Sequence, residues 1–324
     1  MVMTTLGWHA SHEQIAPSVL LDAAQLAEQV GFDAGMSSDH FSPWSERQGE
    51  SGFAWSWLGA ALQATRLPFG VVNAPGQRYH PAIIAQAAAT LSEMYPGRLW
   101  VALGSGEASN EHITGDRWLP KPLRERRLRE CVDVMRALFA GEEVTHDGLV
   151  RVDRARLWTL PDRSPPLIGA AVSVATAGWV GEWADGMITV LQSHEHLEQM
   201  VDAFRSNGGD EKPLYLQAHI SWAPTDDEAL AIAHHQWRSN VFAPPVCWDL
   251  ELPAHFDEAS KHVRPDDLRG SVKISSDLGQ HAAWLADAIA LGFDGVWIHH
   301  VGQSQQAFLE AFGDKVLPQL RSGA

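Results

Sequence analysis

Two hydrophobic rhythms alternate along this chain. Short apolar runs bounded by Gly, Pro or Asp read as buried strands, and longer stretches with apolar residues three and four apart read as amphipathic helices. The strands fall at Thr4–Trp8, Ala34–Ser38, Leu67–Val72, Leu99–Leu103, Leu167–Ala170, Gly186–Val190, Leu214–Trp222 and Val296–His300. Between them the helical period predicts Pro17–Val30, Trp57–Thr65, Ala82–Met94, residues 124–140, Trp179–Ala184, His194–Phe204, Asp226–Asn240, Gly279–Leu291 and a closing Gln305–Leu320. Residues 142–160 read as a hairpin excursion turning at His146-Asp147-Gly148, and the proline-rich stretch 241–270 as an insertion. The junctions Gly31-Phe32-Asp33 and Gly292-Phe293-Asp294 match, a weak internal repeat on the scale of one strand-helix unit. Alternation of this kind predicts one α/β domain over 1–324: a (β/α)8 TIM-type barrel with insertions over its C-terminal rim. A doubly wound open sheet satisfies the same pattern.

In a barrel, ligands gather at the C-terminal ends of the strands. Glu13, Asp39, His40, Asn73, the run Gly104 to Asn110, Ala170 to Ser173 and Ser275 to Asp277 all follow predicted strands, so they converge on one rim. The stretch from Ser37 to Trp57 is the richest, placing an acid, an imidazole and several indoles at the end of the second strand; a helix cap and a surface histidine are the ordinary alternative. Gly104-Ser105-Gly106 lets backbone N–H groups approach a planar ring or a phosphate, and Glu107 beside it is a proton donor if burial raises its pKa. Without the remaining spacing of a dinucleotide fingerprint, Gly-x-Gly is more often a plain turn. Ser275-Ser276-Asp277 either caps the next helix or offers donors to a phosphate.

Composition narrows the classes. With 24 Lys and Arg against 40 Asp and Glu, the net charge of −16 repels nucleic acid and anionic lipid. No run has membrane-spanning length and Met1–Leu6 lacks the pattern of a signal peptide, so a cytoplasmic location away from membranes is expected. Cys131 and Cys247 imply no disulfide framework. His9, His12, His234-His235 and His299-His300 have neither His-Glu-x-x-His nor Cys-His spacing, and adjacent histidines point apart, so no metal site is expected. A serine nucleophile lacks its Gly-x-Ser-x-Gly elbow. Arg124, Arg126, Arg127 and Arg129 read as a solvated helix face, and most of the 14 tryptophans as core, with Trp8, Trp44, Trp55 and Trp57 candidates to line an apolar pocket.

Several motifs occur together in order: Ser38-Asp39-His40-Phe41-x-Pro43-Trp44, Arg78-Tyr79-His80-Pro81-Ala82, Pro96-Gly97-Arg98, and Gly104-Ser105-Gly106-Glu107-x-x-Asn110-Glu111. Nearly end to end, the chain resembles the luciferase-like monooxygenase superfamily, in the branch of coenzyme F-420-dependent glucose-6-phosphate dehydrogenase-like proteins. The resemblance implies an isoalloxazine-type ring held at the C-terminal rim and a hydride moved to or from it. It further implies that Asp39 and His40 contact the ring, with His40 as acid/base; that Trp44 stacks near the substrate, Glu107 is the second proton-transfer group and Glu13 shapes the pocket. Asn73 and Ala74 match the place where relatives bend the backbone against the ring, often through a cis peptide, and Gly104, Ser105, Gly106 and Asn110 match contacts to the ring or its ribityl chain. Ala170, Ala171, Val172 and Ser173 match the loop that holds the cofactor tail. There relatives have Gly-Pro-Lys and this chain has Val172-Ser173-Val174; where they grip a sugar phosphate it has Gln192-Ser193-His194 and Gln305-Gln306. The subgroup most similar on these points is that of the non-F-420 flavinoid oxidoreductases. FMN is therefore the expected cofactor, with coenzyme F-420 as the alternative, and the substrate a small, largely uncharged organic molecule rather than glucose-6-phosphate. Oxygen or an organic acceptor, a separate flavin reductase and a homodimer complete the expectation, and a non-catalytic flavin-binding protein is the competing one.

Overall fold

The strands close into a ring. In the computed structural model, which describes residues 4–322, they are β1 (Thr5–Ala10), β2 (Ala34–Ser38), β3 (Phe69–Asn73), β4 (Leu99–Leu103), β5 (Leu167–Ala170), β6 (Gly186–Val190), β7 (Leu214–Ser221) and β8 (Gly295–His300). Each is parallel to the next, β6 pairs with β7, β7 with β8, and β8 returns to β1 at Thr5 opposite Gly295. That closure selects the (β/α)8 barrel over the open sheet. The extreme residues of the 1–324 span and Met1 to Met3 of the N-terminal reading lie outside the described residues. Among the described residues no helix is long and apolar enough to cross a membrane.

Around the ring lie α1 (Pro17–Gln29), α2 (Ala54–Ala64), α3 (Pro81–Met94), α4 (Lys121–Phe139), α5 (Val174–Gly181), α6 (His194–Phe204), α7 (Asp226–Trp237), α8 (Leu278–Ile289) and α9 (Gln305–Ala311). Several differ in their bounds from the periodic reading, the closing Gln305–Leu320 being interrupted after Ala311, and two helix starts show why. The aromatic stretch before Trp57 belongs to α2 from Ala54 on, because Ala54, Trp57, Leu58, Ala61 and Leu62 form one buried helical stripe. The helix expected at Trp179–Ala184 starts at Val174, where Ser173 caps it by accepting from the Thr176 N–H. Residues 144–155 form the antiparallel hairpin, and Lys273–Ile274 adds a short parallel strand to β7.

The matching junctions have one physical purpose. Gly31 and Gly292 take the left-handed conformation (φ 100° and 92°) that ends a helix, and the following Phe32 and Phe293 are buried. Asp33 and Asp294 then each accept a backbone N–H from a neighbouring strand, Leu6 at 2.9 Å and Leu214 at 2.8 Å. Asp185 does the same for Leu167. These carboxylates lock the register at the N-terminal rim.

Inside the ring, Trp100, Tyr215 and Trp297 pack against one another with ring centres 4.9 to 5.1 Å apart. Their bulk is accommodated by glycine on facing strands: a Cβ on Gly70 would lie 1.9 Å from the Trp100 ring. Gly70→Ala is therefore expected to destabilise the fold by about 1–3 kcal/mol or more through overpacking, read as a lower denaturant midpoint.

Candidate active site

At the C-terminal end of β2 the chain leaves the barrel at Asp39 and His40. His40 Nδ1 lies 2.6 Å from Glu13 Oε1, and its Nε2 lies 3.8 Å from Glu107 Oε2. Glu13, on the loop after β1, is buried, and its other oxygen accepts from Ser11 Oγ at 2.9 Å. One imidazole thus stands between two carboxylates from different strand ends. Trp44 presents its edge geometry to His40 with ring centres 5.4 Å apart and planes at 80°.

The charges of these groups follow from their surroundings. Burial alone would raise the Glu13 carboxyl, but the adjacent His40 outweighs it and holds Glu13 down at about 2. Burial would lower His40, yet the Glu13 charge and contact, with Glu107 assisting, hold it above the ordinary imidazole value. Glu107 is raised, first by burial and then by the neighbouring carboxylates Glu13 and Glu111, against the opposing pull of His40. The surroundings therefore favour the ionised form of Glu13, the protonated form of His40 and the neutral form of Glu107.

Several candidate residues support the rim through their side chains. The Asp39 carboxylate is fully covered: Oδ2 accepts from Asn73 Nδ2 at 2.7 Å, and Tyr79 OH reaches Oδ1 at 3.4 Å. Arg78, also buried, donates to the Asp39 carbonyl at 2.6 Å and has its Nε 3.7 Å from Glu111 Oε1. Arg78 thus ties β2 to the short helix Ala108–Glu111. Asn110 accepts from the Phe41 N–H at 2.8 Å and donates to Glu107 at 3.3 Å, so its amide organises the loop around His40. The bend after β3 is formed without a cis peptide at Asn73–Ala74; among the described residues the cis bond is Pro244–Pro245.

Beside His40 the ends of β3, β4 and β5 carry small side chains. A Cβ on Gly104 would be 3.8 Å from that of Ala170, and one on Gly106 would be 3.6 Å from that of Ala74. Ala74, Gly104, Ser105, Gly106 and Ala170 are all partly exposed, so they form a floor of small side chains against which a flat ring could pack. Ala171 anchors the next loop by donating to the Ile188 carbonyl, and Gln192 reaches the Val172 carbonyl. Ser173 and Thr176 open α5, and Lys121 from α4 donates to Thr176 Oγ1 at 3.0 Å. Lys121, which also pairs with Glu125 at 3.4 Å, thus brings a cation to the start of α5.

The structure revises other expectations. Trp8 is wholly enclosed and bonds Gln305, and Trp55 and Trp57 are buried, so of the four tryptophans only Trp44 stands at His40. Arg124 and Arg127 are buried rather than solvated: Arg124 stacks 4.1 Å over Trp118 and Arg127 donates to Gln77. Arg126 and Arg129 remain exposed, each pairing one helical turn ahead. Asp277 caps α8 by accepting from the Gly279 and Gln280 N–H groups, which settles Ser275 to Asp277 as a helix start. His9, His219 and His299 lie together under the rim, Gln217 bridging His219 and His299, and burial depresses all three. Among the described residues no group of three His, Cys, Asp or Glu is placed to hold a metal.

The sequence pattern of the luciferase-like monooxygenase family matches residues 1–295, and the chain belongs to that family. It is 32% identical to an F420-dependent glucose-6-phosphate dehydrogenase of Microbacterium testaceum (strain StLB037), over 97% of each chain. A protein of the same name from Nakamurella multipartita is 34% identical over 98% of this chain and 96% of its own. Among solved structures, an F420-dependent secondary alcohol dehydrogenase in complex with an F420-acetone adduct superposes with a TM-score of 0.90 at 29% identity, covering 98% of this chain and 99% of that one. The chain is an enzyme of the oxidoreductase class.

The Glu13–His40 contact sets its own pH window. The raised histidine contributes stability below its unfolded value of 6.5 and loses it as pH rises through the folded value; the depressed Glu13 contributes above 4.5 and loses it as pH falls toward about 2. Histidine NMR should show His40 titrating above 6.5 in the native protein and at distinctly lower pH in Glu13→Gln. An unchanged titration would assign the shift to Glu107 instead.

Proposed function

We propose that this enzyme interconverts a small, largely uncharged secondary alcohol and its ketone with coenzyme F-420. The observation that carries this reading is the Glu13–His40–Glu107 array beside a floor of small residues, in a chain similar throughout its length to an F420-dependent secondary alcohol dehydrogenase. FMN, expected from Val172-Ser173-Val174, loses ground on two counts. The relatives named above carry F420 in their names, and Lys121, although paired with Glu125, reaches Thr176 in the first turn of α5, next to the loop where the acidic tail of coenzyme F-420 would need a cation. The small-residue floor would take the ring, with Gly104, Ser105 and Gly106 offering backbone donors.

Bound there, the deazaflavin supplies a two-electron hydride acceptor. As the alcohol C–H electron pair leaves as hydride, the O–H proton passes to His40 Nε2, since Nδ1 faces Glu13. Glu13 stabilises the imidazolium so formed, and Glu107 stands on the Nε2 side as a second proton holder. Trp44 and Phe256, edge to face at 5.3 Å, bound an apolar side of this space. Alcohol oxidation should accordingly rise with pH through the raised His40 value, because only the neutral imidazole accepts a proton.

Glucose-6-phosphate is the competing substrate, as the relatives' names state. Against it, Gln305 is spent on Trp8 and on the His300 and Gly302 carbonyls, Gln192 on Val172, and His194 lies on the surface beside Glu198. None of these offers a fixed cation to a phosphate. Cytoplasmic location and a homodimer accompany this reading.

Parallel titrations with coenzyme F-420 and FMN test the cofactor, and tight binding of FMN alone would restore the flavin reading. Lys121→Met should weaken coenzyme F-420 by about tenfold, less so at high salt, while a deazaflavin lacking the acidic tail binds unchanged. His40→Ala should keep cofactor affinity within about tenfold yet abolish most turnover; equal loss of both would point to a binding protein.

A further inference from the structure

The insertion 241–270 folds into the short helices Val246–Asp249 and Pro253–Ala259 and a final turn at Pro265–Gly270. It is strapped to the barrel mouth at two places. On one side Trp118 Nε1 donates to Asp249 at 2.9 Å, next to the Arg124 guanidinium stacked on Trp118. On the other, Phe256 and Asp257 meet the turn that follows His40.

We propose that Asp257 is a positioning residue that holds Trp44 against the catalytic imidazole. Its carboxylate takes up three successive residues of the turn. Oδ1 accepts from Ser45 Oγ at 2.6 Å and lies 2.6 Å from Arg47 Nη1, and Oδ2 accepts from the Glu46 N–H at 3.0 Å. Ser45 is completely buried, so this anchor is shielded from water on the turn side. The preceding residue grips the ring itself: Phe256, fully enclosed, meets Trp44 edge to face, and Trp44 meets His40 in the same way. Two adjacent residues of the lid thus fix both the backbone after Trp44 and its indole.

The far side of the turn is held as firmly. The Trp44 N–H donates to Gln48 Oε1 at 2.8 Å, Gln48 Nε2 donates to the Gln236 carbonyl at the end of α7, and Arg47 Nε donates to the His235 carbonyl. Gln303, after β8, reaches both the Gln48 and Gln14 carbonyls. The turn is therefore clamped between α7 and the lid, and Asp257 is the charged half of the clamp. Releasing it frees Trp44 to swing away from His40 without touching Glu13 or the ring floor.

The kinetic part of the test rests on the alcohol reading; hydrogen exchange does not. In Asp257→Ala, amide exchange over residues 44–48 should accelerate by more than about tenfold while α3 amides keep their protection. KM for 2-propanol should rise by about tenfold or more, coenzyme F-420 affinity should stay within about twofold, and the pH limb set by His40 should not move. On a Trp44→Ala background the same substitution should add no further loss, because the two act as one unit. Unchanged exchange over 44–48, or a loss fully additive with Trp44→Ala, would overturn the proposal. A native enzyme that binds coenzyme F-420 but leaves 2-propanol unoxidised would overturn the alcohol reading alone, the exchange result still deciding the role of Asp257. If Asp257→Ala fails to fold, Asp257→Asn, which keeps one acceptor and loses the charge opposite Arg47, is measured by the same readouts.

Discussion

The contact between Glu13 and His40 is the interaction on which the site depends. A carboxylate and an imidazole brought 2.6 Å apart under cover each alter the other: Glu13 stays ionised at about 2 and His40 keeps its proton above the ordinary range. A buried pair of this kind is costly to desolvate and is maintained only when further hydrogen bonds complete it. Ser11 does so for Glu13. Its geometry also assigns the two ring nitrogens, since Nδ1 is turned to Glu13 and Nε2 is left facing Glu107 and the open rim.

Around that pair the barrel rim is built from polar groups that satisfy each other. Arg78 bridges Asp39 and Glu111, Asn73 meets Asp39, and Asn110 joins the backbone after His40 to Glu107. Strand ends that would otherwise expose backbone and carboxylates to a dry interior become a stiff frame. The stiffness fixes the spacing of Glu13, His40 and Glu107, which come from separate strands.

Above the rim, the mouth of the barrel is bounded by the insertion 241–270. The insertion brings Phe256 and Asp257 to the Trp44 turn, and Trp248 and Asp249 to α4, where Trp248 lies against Lys121 and Asp249 beside Arg124. The same lid residues that make the space apolar also hold it in shape.

Much of this was legible from the chain alone. The strand-helix alternation predicts the barrel, because burial on both faces forces short apolar runs and a crossover forces amphipathic helices. Glu13, His40 and Glu107 follow the ends of β1, β2 and β4, so a barrel must bring them to one rim. Tertiary structure decided what surrounds each. Asp39, Asn73 and Asn110 look like open contacts in sequence, yet their side chains are spent on one another and on the backbone. Arg124 and Arg127 look solvated by periodicity, but Trp118 and Gln77 arrive from elsewhere to cover them. Lys121 stands at the α5 start some fifty positions away in the chain, and Asp257 sits more than two hundred residues from the turn it holds. Period and propensity report only which face of an element is apolar; a hydrogen bond between distant loops depends on how the closed ring brings them together, and no local pattern encodes it.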